Sequence, residues 1–282
     1  MQLNALLEQW AARFAAAGIE SAQADAELLA GFLSDRSRGE IQSAALVGED
    51  WSPEQIEKYD AFALRREARE PLQHLTGVAH FRQIELQVGK GVFVPRPETE
   101  LIAGLGIEFA SKLSKEHPVV VDLGTGSGAI ALSVAHELPG AQVFAVEKSA
   151  DALAWSEKNF AKFANAEVRL GDLTDAFNEL NGSVDVVLTN PPYIPVDMVP
   201  IYPEVVLHDP DLALYGGQDG LDVVRLAQRT ARRLLRDGGF FAVEHADIQA
   251  AAITELLLAA GWHSVTSHQD FNGRDRVVTA IR

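Results

Sequence analysis

Asn190-Pro191-Pro192-Tyr193 follows an apolar run from Val184 to Leu188 and is itself followed by Pro195. An Asn-Pro step after such a run ends a buried strand abruptly, because proline biases the residue before it to extended backbone and brings no N–H donor of its own. If the strand belongs to a parallel sheet, the side chains just past the stop line the crevice where ligands sit, beyond the carboxyl ends of the strands. Asn190 brings an amide oxygen and an amide NH2 to that place, and Tyr193 brings a flat face. Taken alone, the same four residues also read as a rigid turn without chemistry.

Upstream, Asp122-Leu123-Gly124-Thr125-Gly126-Ser127-Gly128 closes another apolar run and opens a predicted helix. Glycines in that context let the backbone turn sharply and approach a ligand where a Cβ would obstruct it. The spacing G-x-G-x-G differs from the dinucleotide fingerprint G-x-G-x-x-G, and Asp122 is a poor neighbour for a pyrophosphate yet a good one for a sulfonium or an amino group. Glu147 ends the next predicted strand, 19 positions after Gly128, where a carboxylate accepts hydrogen bonds from both hydroxyls of a ribose. Asp172, followed by Leu173, ends the third strand and can meet an adenine amino group. The lysine that grips phosphates in nucleoside triphosphatases does not follow Gly128. Asp122, Gly124, Thr125, Gly126, Gly128, Glu147, Asp172, Leu173 and Asn190 therefore form a predicted cofactor site. The missing pyrophosphate pattern favours S-adenosyl-L-methionine over a nicotinamide.

The elements that must hold these residues begin at Pro118. From there strands and helices alternate: strands at 119–123, 142–147, 167–170, 184–188, 240–244, 263–268 and 276–281, with predicted helices between them. Residues 1–70 read instead as helices. One runs from Leu3 to Ala17 with Leu3, Leu6, Leu7, Trp10 and Phe14 on one stripe, one from Ser21 to Leu33, and one from Ser52-Pro53 with a cap, a first-turn proline and Gln55. Residues 71–97 carry Gly77, Gly89, Gly91, Pro95 and Pro97 among short alternating runs and are expected to form a β-hairpin linker, with 98–282 as the catalytic domain. Residues 194–218 form a long proline-punctuated insertion expected to lack regular structure and to act as a binding or lid element. Arg96, Glu98 and Glu100, just after the hairpin, allow two readings: pairing that fixes the hairpin, or direct contact with a partner.

Composition narrows the classes. The chain has 282 residues, 47% of them hydrophobic, no cysteine and a formal charge of -16. Thiolate nucleophiles, disulfides and cysteine-based zinc sites are excluded, and His80, His208 and His245 lack metal-ligand spacing, so no metal is expected. The acidic balance, with seven Lys/Arg against thirteen Asp/Glu in residues 1–70, disfavours long-range attraction to a nucleic acid backbone. Met1-Gln2-Leu3-Asn4 lacks a basic start and no window reaches membrane-spanning length, so a cytoplasmic monomer without membrane contact is expected.

These residues resemble the seven-stranded class I methyltransferases, an α/β Rossmann-like fold, and Asn190-Pro191-Pro192-Tyr193 is similar to the branch that methylates planar nitrogens. Within it the chain resembles the peptide chain release factor N5-glutamine methyltransferases. The resemblance rests on Pro71-Leu72-Gln73-His74-Leu75-Thr76-Gly77 with Phe81, on Val94-Pro95-Arg96-Pro97-Glu98-Thr99-Glu100, and on Pro203-Glu204-Val205, Asp209-Pro210, Ala213-Leu214 and Gly216-Gly217-Gln218-Asp219-Gly220. It covers essentially the whole chain, including the small all-helical N-terminal domain. The chain departs from the pattern at His74, where tyrosine is common, at Asp209, where glutamate is usual, and at His245-Ala246, where Ile-Gly is frequent.

The resemblance implies a substrate: the glutamine of the Gly-Gly-Gln motif of bacterial release factors, bound through the N-terminal domain and methylated on its side-chain nitrogen, with S-adenosyl-L-homocysteine as the other product. Asn190, Pro191 and Tyr193 are then the expected catalytic residues, and Pro192, Arg96 and Glu98 complete the substrate site. No stable nucleic acid partner is expected. An adenine-N6 methyltransferase acting on DNA or RNA is the alternative, because a flipped adenine presents the same flat NH2 edge.

Overall fold

The computed structural model describes residues 1–200 and 202–282; Ile201, inside the predicted insertion, lies outside the described residues. Contacts divide the chain into two compact units, one made of residues 1–77 and 202–208, the other of residues 78–200 and 209–282.

The first unit is helical. Its elements are α1 (Leu3–Ala16), α2 (Ala22–Ser34), α3 (Arg38–Leu46), α4 (Pro53–Glu67) and α5 (Leu72–Thr76). Leu3, Leu6, Leu7, Trp10 and Phe14 of α1 are buried, the three-and-four spacing of a helix face turned to a core. In α2, Leu29 is buried whereas Leu28 and Phe32 face outward. Ser52 caps α4 and Gln55 returns the bond, a reciprocal capping box with Pro53 inside the first turn. Ser37 and Glu40 make the same box for α3, a helix that the periodicity did not predict because only Ile41 and Ala44 of it are buried. Residues 72–76, expected as the start of the hairpin, are a helical turn closed by Gly77 in the left-handed conformation.

The stretch 202–208 was assigned to the catalytic domain by position, yet it belongs to the helical unit. Glu204 explains why: it accepts from Arg66 at 3.0 Å and from Arg69 at 2.5 Å, and Arg66 also pairs with Asp25 at 2.8 Å. These groups are nearly buried, so leaving any one of the charges without its partner would be costly.

The second unit starts with a hairpin, β1 (Val78–Phe81) and β2 (Ile84–Gln87), then α6 (Glu100–Ser111), β3 (Val119–Leu123), α7 (Ala129–Glu137), β4 (Gln142–Glu147), α8 (Ala150–Phe160), β5 (Ala166–Leu170) and β6 (Val184–Thr189). After the short helix α9 (Pro203–His208) come α10 (Asp222–Leu234), β7 (Leu235–Glu244), α11 (Ala250–Ala259), β8 (His263–Gln269) and β9 (Asp275–Ile281). The hairpin is part of this unit's core rather than a free-standing linker: Phe81, Leu86 and Val88 pack with Ile102, Ala131 and Leu132, and Asn159 bonds both backbone groups of Gln87.

Seven strands form one sheet in the order β5-β4-β3-β6-β7-β9-β8. The first five are parallel and β9 runs antiparallel to both its neighbours, the arrangement of a class I methyltransferase. Helices cover both faces, which is why β6 is buried at every position and reads as a continuous apolar run. Asp185 is the exception in that run; its carboxylate accepts from Lys115, Arg236 and the Val119 N–H, an arrangement that holds its pKa low against the cost of burial. Among the described residues no helix is long and apolar enough to cross a membrane.

Candidate active site

From β3 the chain moves outward to β4 and β5, then returns to β6 on the other side of β3. At that reversal the loops after β3 and β6 diverge and leave a crevice at the carboxyl edge. Register fixes what meets there. Asp122 stands opposite Leu188, Glu147 opposite Leu170, and Thr189 opposite Val243. The loops carrying Asp172, Glu147, Gly124, Asn190 and Glu244 therefore leave five adjacent strands in that order.

The glycine loop is bound to its neighbours on either side. Gly124 and Thr125 both donate to the Val146 carbonyl at 3.0 Å, and Thr189 Oγ1 donates to the Leu123 carbonyl at 2.7 Å. Gly124 and Gly126 have φ of +78° and +58°, and a Cβ on either would meet nothing within 4 Å. Open space therefore lies beside both. Gly128 is different: its Cβ would stand 2.7 Å from Phe160, so the lack of a side chain there lets the loop pack against α8.

Glu147 is buried, with Oε2 accepting from the Gly126 N–H at 2.8 Å and Oε1 from the Ser149 N–H at 2.7 Å. Each carboxylate oxygen has a further lone pair to offer. Asp122 is fully buried; Oδ2 accepts from Thr125 Oγ1 at 2.6 Å while Oδ1 has no hydrogen-bond partner among the described residues. Burial pushes its pKa up to about 7. Asp172 is half exposed and receives the Thr174 N–H and hydroxyl on Oδ1, with Lys148 3.0 Å from Oδ2. The Thr174 N–H, then Lys148, hold its pKa down to about 2. Leu173 beside it is half-buried against the core.

Beyond β6, Asn190 Nδ2 donates to Thr99 Oγ1 at 3.3 Å. The Thr99 hydroxyl, although Thr99 precedes α6, makes no capping bond to that helix. Pro191 is buried and Pro192 and Tyr193 are half-buried. Desolvation first, then the nearby Glu244, raise the pKa of the Tyr193 phenol, which stays protonated. The Tyr193 carbonyl accepts from Gln249 Nε2 at 2.9 Å.

The two readings of the post-hairpin charges separate. Arg96 Nη2 pairs with Asp209 at 2.9 Å and its guanidinium lies 5.1 Å from the Phe93 ring, which ties the return limb of the insertion to this edge of the sheet. Burial raises the Asp209 pKa to about 6 in spite of that arginine. Glu100 accepts from the Arg82 N–H at 2.9 Å and fixes the hairpin turn. Glu98 makes no such pair among the described residues; its charge is felt by both Tyr193 and Glu244. The insertion, expected as an irregular loop, carries α9 and a turn of 3-10 helix at Asp211–Ala213, and Ile194 bridges Tyr215.

Glu244 was missed. It ends β7 one strand from Asn190, is 1% exposed, and its Oε2 has no hydrogen-bond partner among the described residues. Burial raises its pKa to about 8, with the neighbouring Thr99, Arg276 and Asn190 acting in the other direction. In sequence it is a lone acidic residue closing an apolar run, the same signal that identified Glu147. His245 is fully buried, held on the Ala246 carbonyl at 2.7 Å, and burial lowers its pKa.

Residues 5–77 match the family model described as PrmC N-terminal domain, and residues 107–198 match the methyltransferase small domain. A release factor glutamine methyltransferase of Streptomyces coelicolor is 46% identical over 99% of this chain and 97% of its own length. The one from Mycolicibacterium smegmatis is 42% identical over 100% of this chain and 98% of its own. A 4-amino-L-phenylalanine/4-methylamino-L-phenylalanine methyltransferase of Streptomyces pristinaespiralis is also similar, at 38% over 98% of this chain and 94% of its own. The sheet order, the loops gathered at its reversal and an identity that runs the length of both chains lead to one assignment: the chain belongs to the release factor glutamine methyltransferase family of class I S-adenosyl-L-methionine-dependent methyltransferases.

Proposed function

We propose that this chain transfers a methyl group from S-adenosyl-L-methionine to the side-chain amide nitrogen of the glutamine in the Gly-Gly-Gln motif of a bacterial peptide chain release factor, acting as a cytoplasmic monomer without nucleic acid or membrane partners. The observation that carries it is the position of Asn190 at the end of β6, next to the strand that carries the glycine loop, with its amide NH2 turned to Thr99. Recognition of the release factor is assigned to the helical unit, the part matched by the PrmC N-terminal domain.

The loops fit the donor. Gly124 and Gly126 border open space, Asp122 keeps a buried acceptor without a donor, and Glu147 and Asp172 leave the next two strands with carboxylates. In this reading Glu147 holds the ribose hydroxyls, Asp172 and Leu173 hold the adenine, and Asp122 with Thr125 faces the cationic end. When bound, the donor supplies an electrophilic sulfonium methyl.

The chain has to make an amide nitrogen attack. That lone pair is shared with the carbonyl, so orientation and charge stabilisation are what the site contributes. Asn190 Oδ1 and the Pro191 carbonyl accept the two N–H hydrogens, which holds the nitrogen in line and favours the positive charge that develops on it. Pro192 and Tyr193 pack against the amide plane and exclude water. The proton becomes acidic only once nitrogen is alkylated, so no base with a shifted pKa is needed. Glu98 lines the substrate side, and Arg96 acts through Asp209 on the shape of the mouth.

Glu147→Ala is expected to weaken donor binding about 10- to 100-fold by calorimetry, as loss of charge-assisted bonds to two hydroxyls requires. An unchanged Kd removes the ribose assignment. The substrate is tested by offering isotope-labelled donor with a release factor, with DNA and RNA, and with 4-amino-L-phenylalanine. Mass spectrometry should place one methyl on the Gly-Gly-Gln glutamine. Label on adenine or on the aryl amine, with none on the release factor, overturns the reading.

A further inference from the structure

The Asn190 amide is nearly symmetric in shape, so its oxygen and NH2 can exchange places with little steric penalty. Only one orientation presents an acceptor to a substrate NH2; the flipped one sets two donors against each other. Thr99 Oγ1 cannot decide between them, because a hydroxyl both donates and accepts. A buried oxygen that can only accept has to stand behind the pair.

We propose that Glu244 supplies that oxygen: a positioning residue whose buried carboxyl receives the Thr99 hydroxyl and the Asn190 NH2, and so holds Asn190 Oδ1 toward the substrate nitrogen. This rests on the proposed role of Asn190. The pairing of Thr189 with Val243 puts the next residues, Asn190 and Glu244, side by side at the ends of β6 and β7. Thr99 closes the triangle from the start of α6, with Asn190 Nδ2 3.3 Å from its oxygen. Glu244 and Thr99 are 1% and 4% exposed, so no bulk water competes for these bonds.

A carboxyl at this depth holds its proton at neutral pH. A neutral carboxyl still has a carbonyl oxygen that accepts, and the proton suits Oε2, which lacks a partner among the described residues. Protonation therefore preserves the polarity that Asn190 needs while avoiding an uncompensated buried charge. Glutamine presents the same carbonyl and is the closest stand-in for the neutral acid; leucine has the size and no acceptor.

Glu244→Leu should lower kcat about 10²-fold, the scale of a misoriented clamp, with the KM for the release factor and the donor Kd unchanged within about 2-fold. Glu244→Gln should stay within about 3-fold of the native kcat. The double variant Glu244→Leu/Thr99→Val should lose no more than the worse of its two single changes, because both act on one amide. Native kcat in Glu244→Leu overturns the proposal, as does a Gln variant as slow as the Leu variant, or additive losses in the double variant. If Glu244→Leu does not fold, Thr99→Val decides: reduced kcat with intact donor affinity supports the relay, and native kcat overturns it. Asn190→Ala separates the two layers. Turnover that survives it sinks the clamp itself, whereas an inactive Asn190→Ala beside a fully active Glu244→Leu sinks only the role of Glu244.

Discussion

Asn190→Ala is expected to reduce kcat by about 10²- to 10³-fold, the range found when one transition-state hydrogen bond is deleted from a preorganised site. The donor Kd should move by less than about 2-fold. Asn190 is an expected neighbour of the donor as well as of the substrate, but in the proposed reading the donor's polar groups are held by Asp122, Glu147 and Asp172. Loss of kcat with binding preserved is the mark of an interaction that strengthens as charge develops on nitrogen. Single-turnover kinetics with saturating donor, beside calorimetry, makes the measurement. A variant that turns over at the native rate removes the clamp; one that loses donor affinity by the same factor as kcat turns Asn190 into a binding residue.

The second large effect comes from a glycine. Gly220 has φ of +74°, and a Cβ there would overlap the Tyr193 carbonyl oxygen and stand 2.6 Å from Gln249 Nε2. Gly216, four residues earlier, abuts the Pro192 and Gly220 carbonyls in the same way. The segment from Gly216 to Gly220 is therefore the mould against which Pro192 and Tyr193 are set. Gly220→Ala has to push the catalytic loop away. The left-handed backbone costs about 1–2 kcal/mol, overpacking adds about 1–3 kcal/mol, and the Tm should fall by roughly 5–15 °C. Turnover should fall further than stability predicts, by about 10²-fold or more at a temperature where the variant is folded, because a shift of about 1 Å at the clamp suffices. Gly273→Ala is the control. It has φ of +75° and open space where its Cβ would go, so it carries the backbone cost without the collision. Equal kcat in the two variants would show that close packing at Gly220 does not set the clamp.

Much of this site was legible in the sequence because its parts are local signals. An apolar run followed by Gly124-Thr125-Gly126, or by Asn190-Pro191, announces both the strand and the loop at its carboxyl end. A parallel sheet then brings such ends together whatever the lengths of the helices between them. The illegible parts depend on register or on distant pairs. Glu244 gains its meaning from Thr189 lying opposite Val243. Gly128 looks like its two neighbours until Phe160 of α8 is placed against it. The helix α3 announced itself in Ser37 and Glu40, but so little of it is buried that periodicity was silent. Arg96 could not be separated from a substrate contact without Asp209, 113 residues away.

Glu204 bears on how such chains can be inherited. The helical unit is discontinuous: residues 202–208 return to it from within the other unit's sequence. A recombination joint between Gly77 and Val78 would carry Arg66 and Arg69 into a new protein and leave Glu204 behind, so that, among the described residues, Arg66 keeps only Asp25 as its carboxylate and Arg69 loses the one it has. The stretch assigned to recognition and the stretch that follows the proposed catalytic motif are therefore parts of one packed unit, and a graft of residues 1–77 alone would lack one of its buried carboxylates.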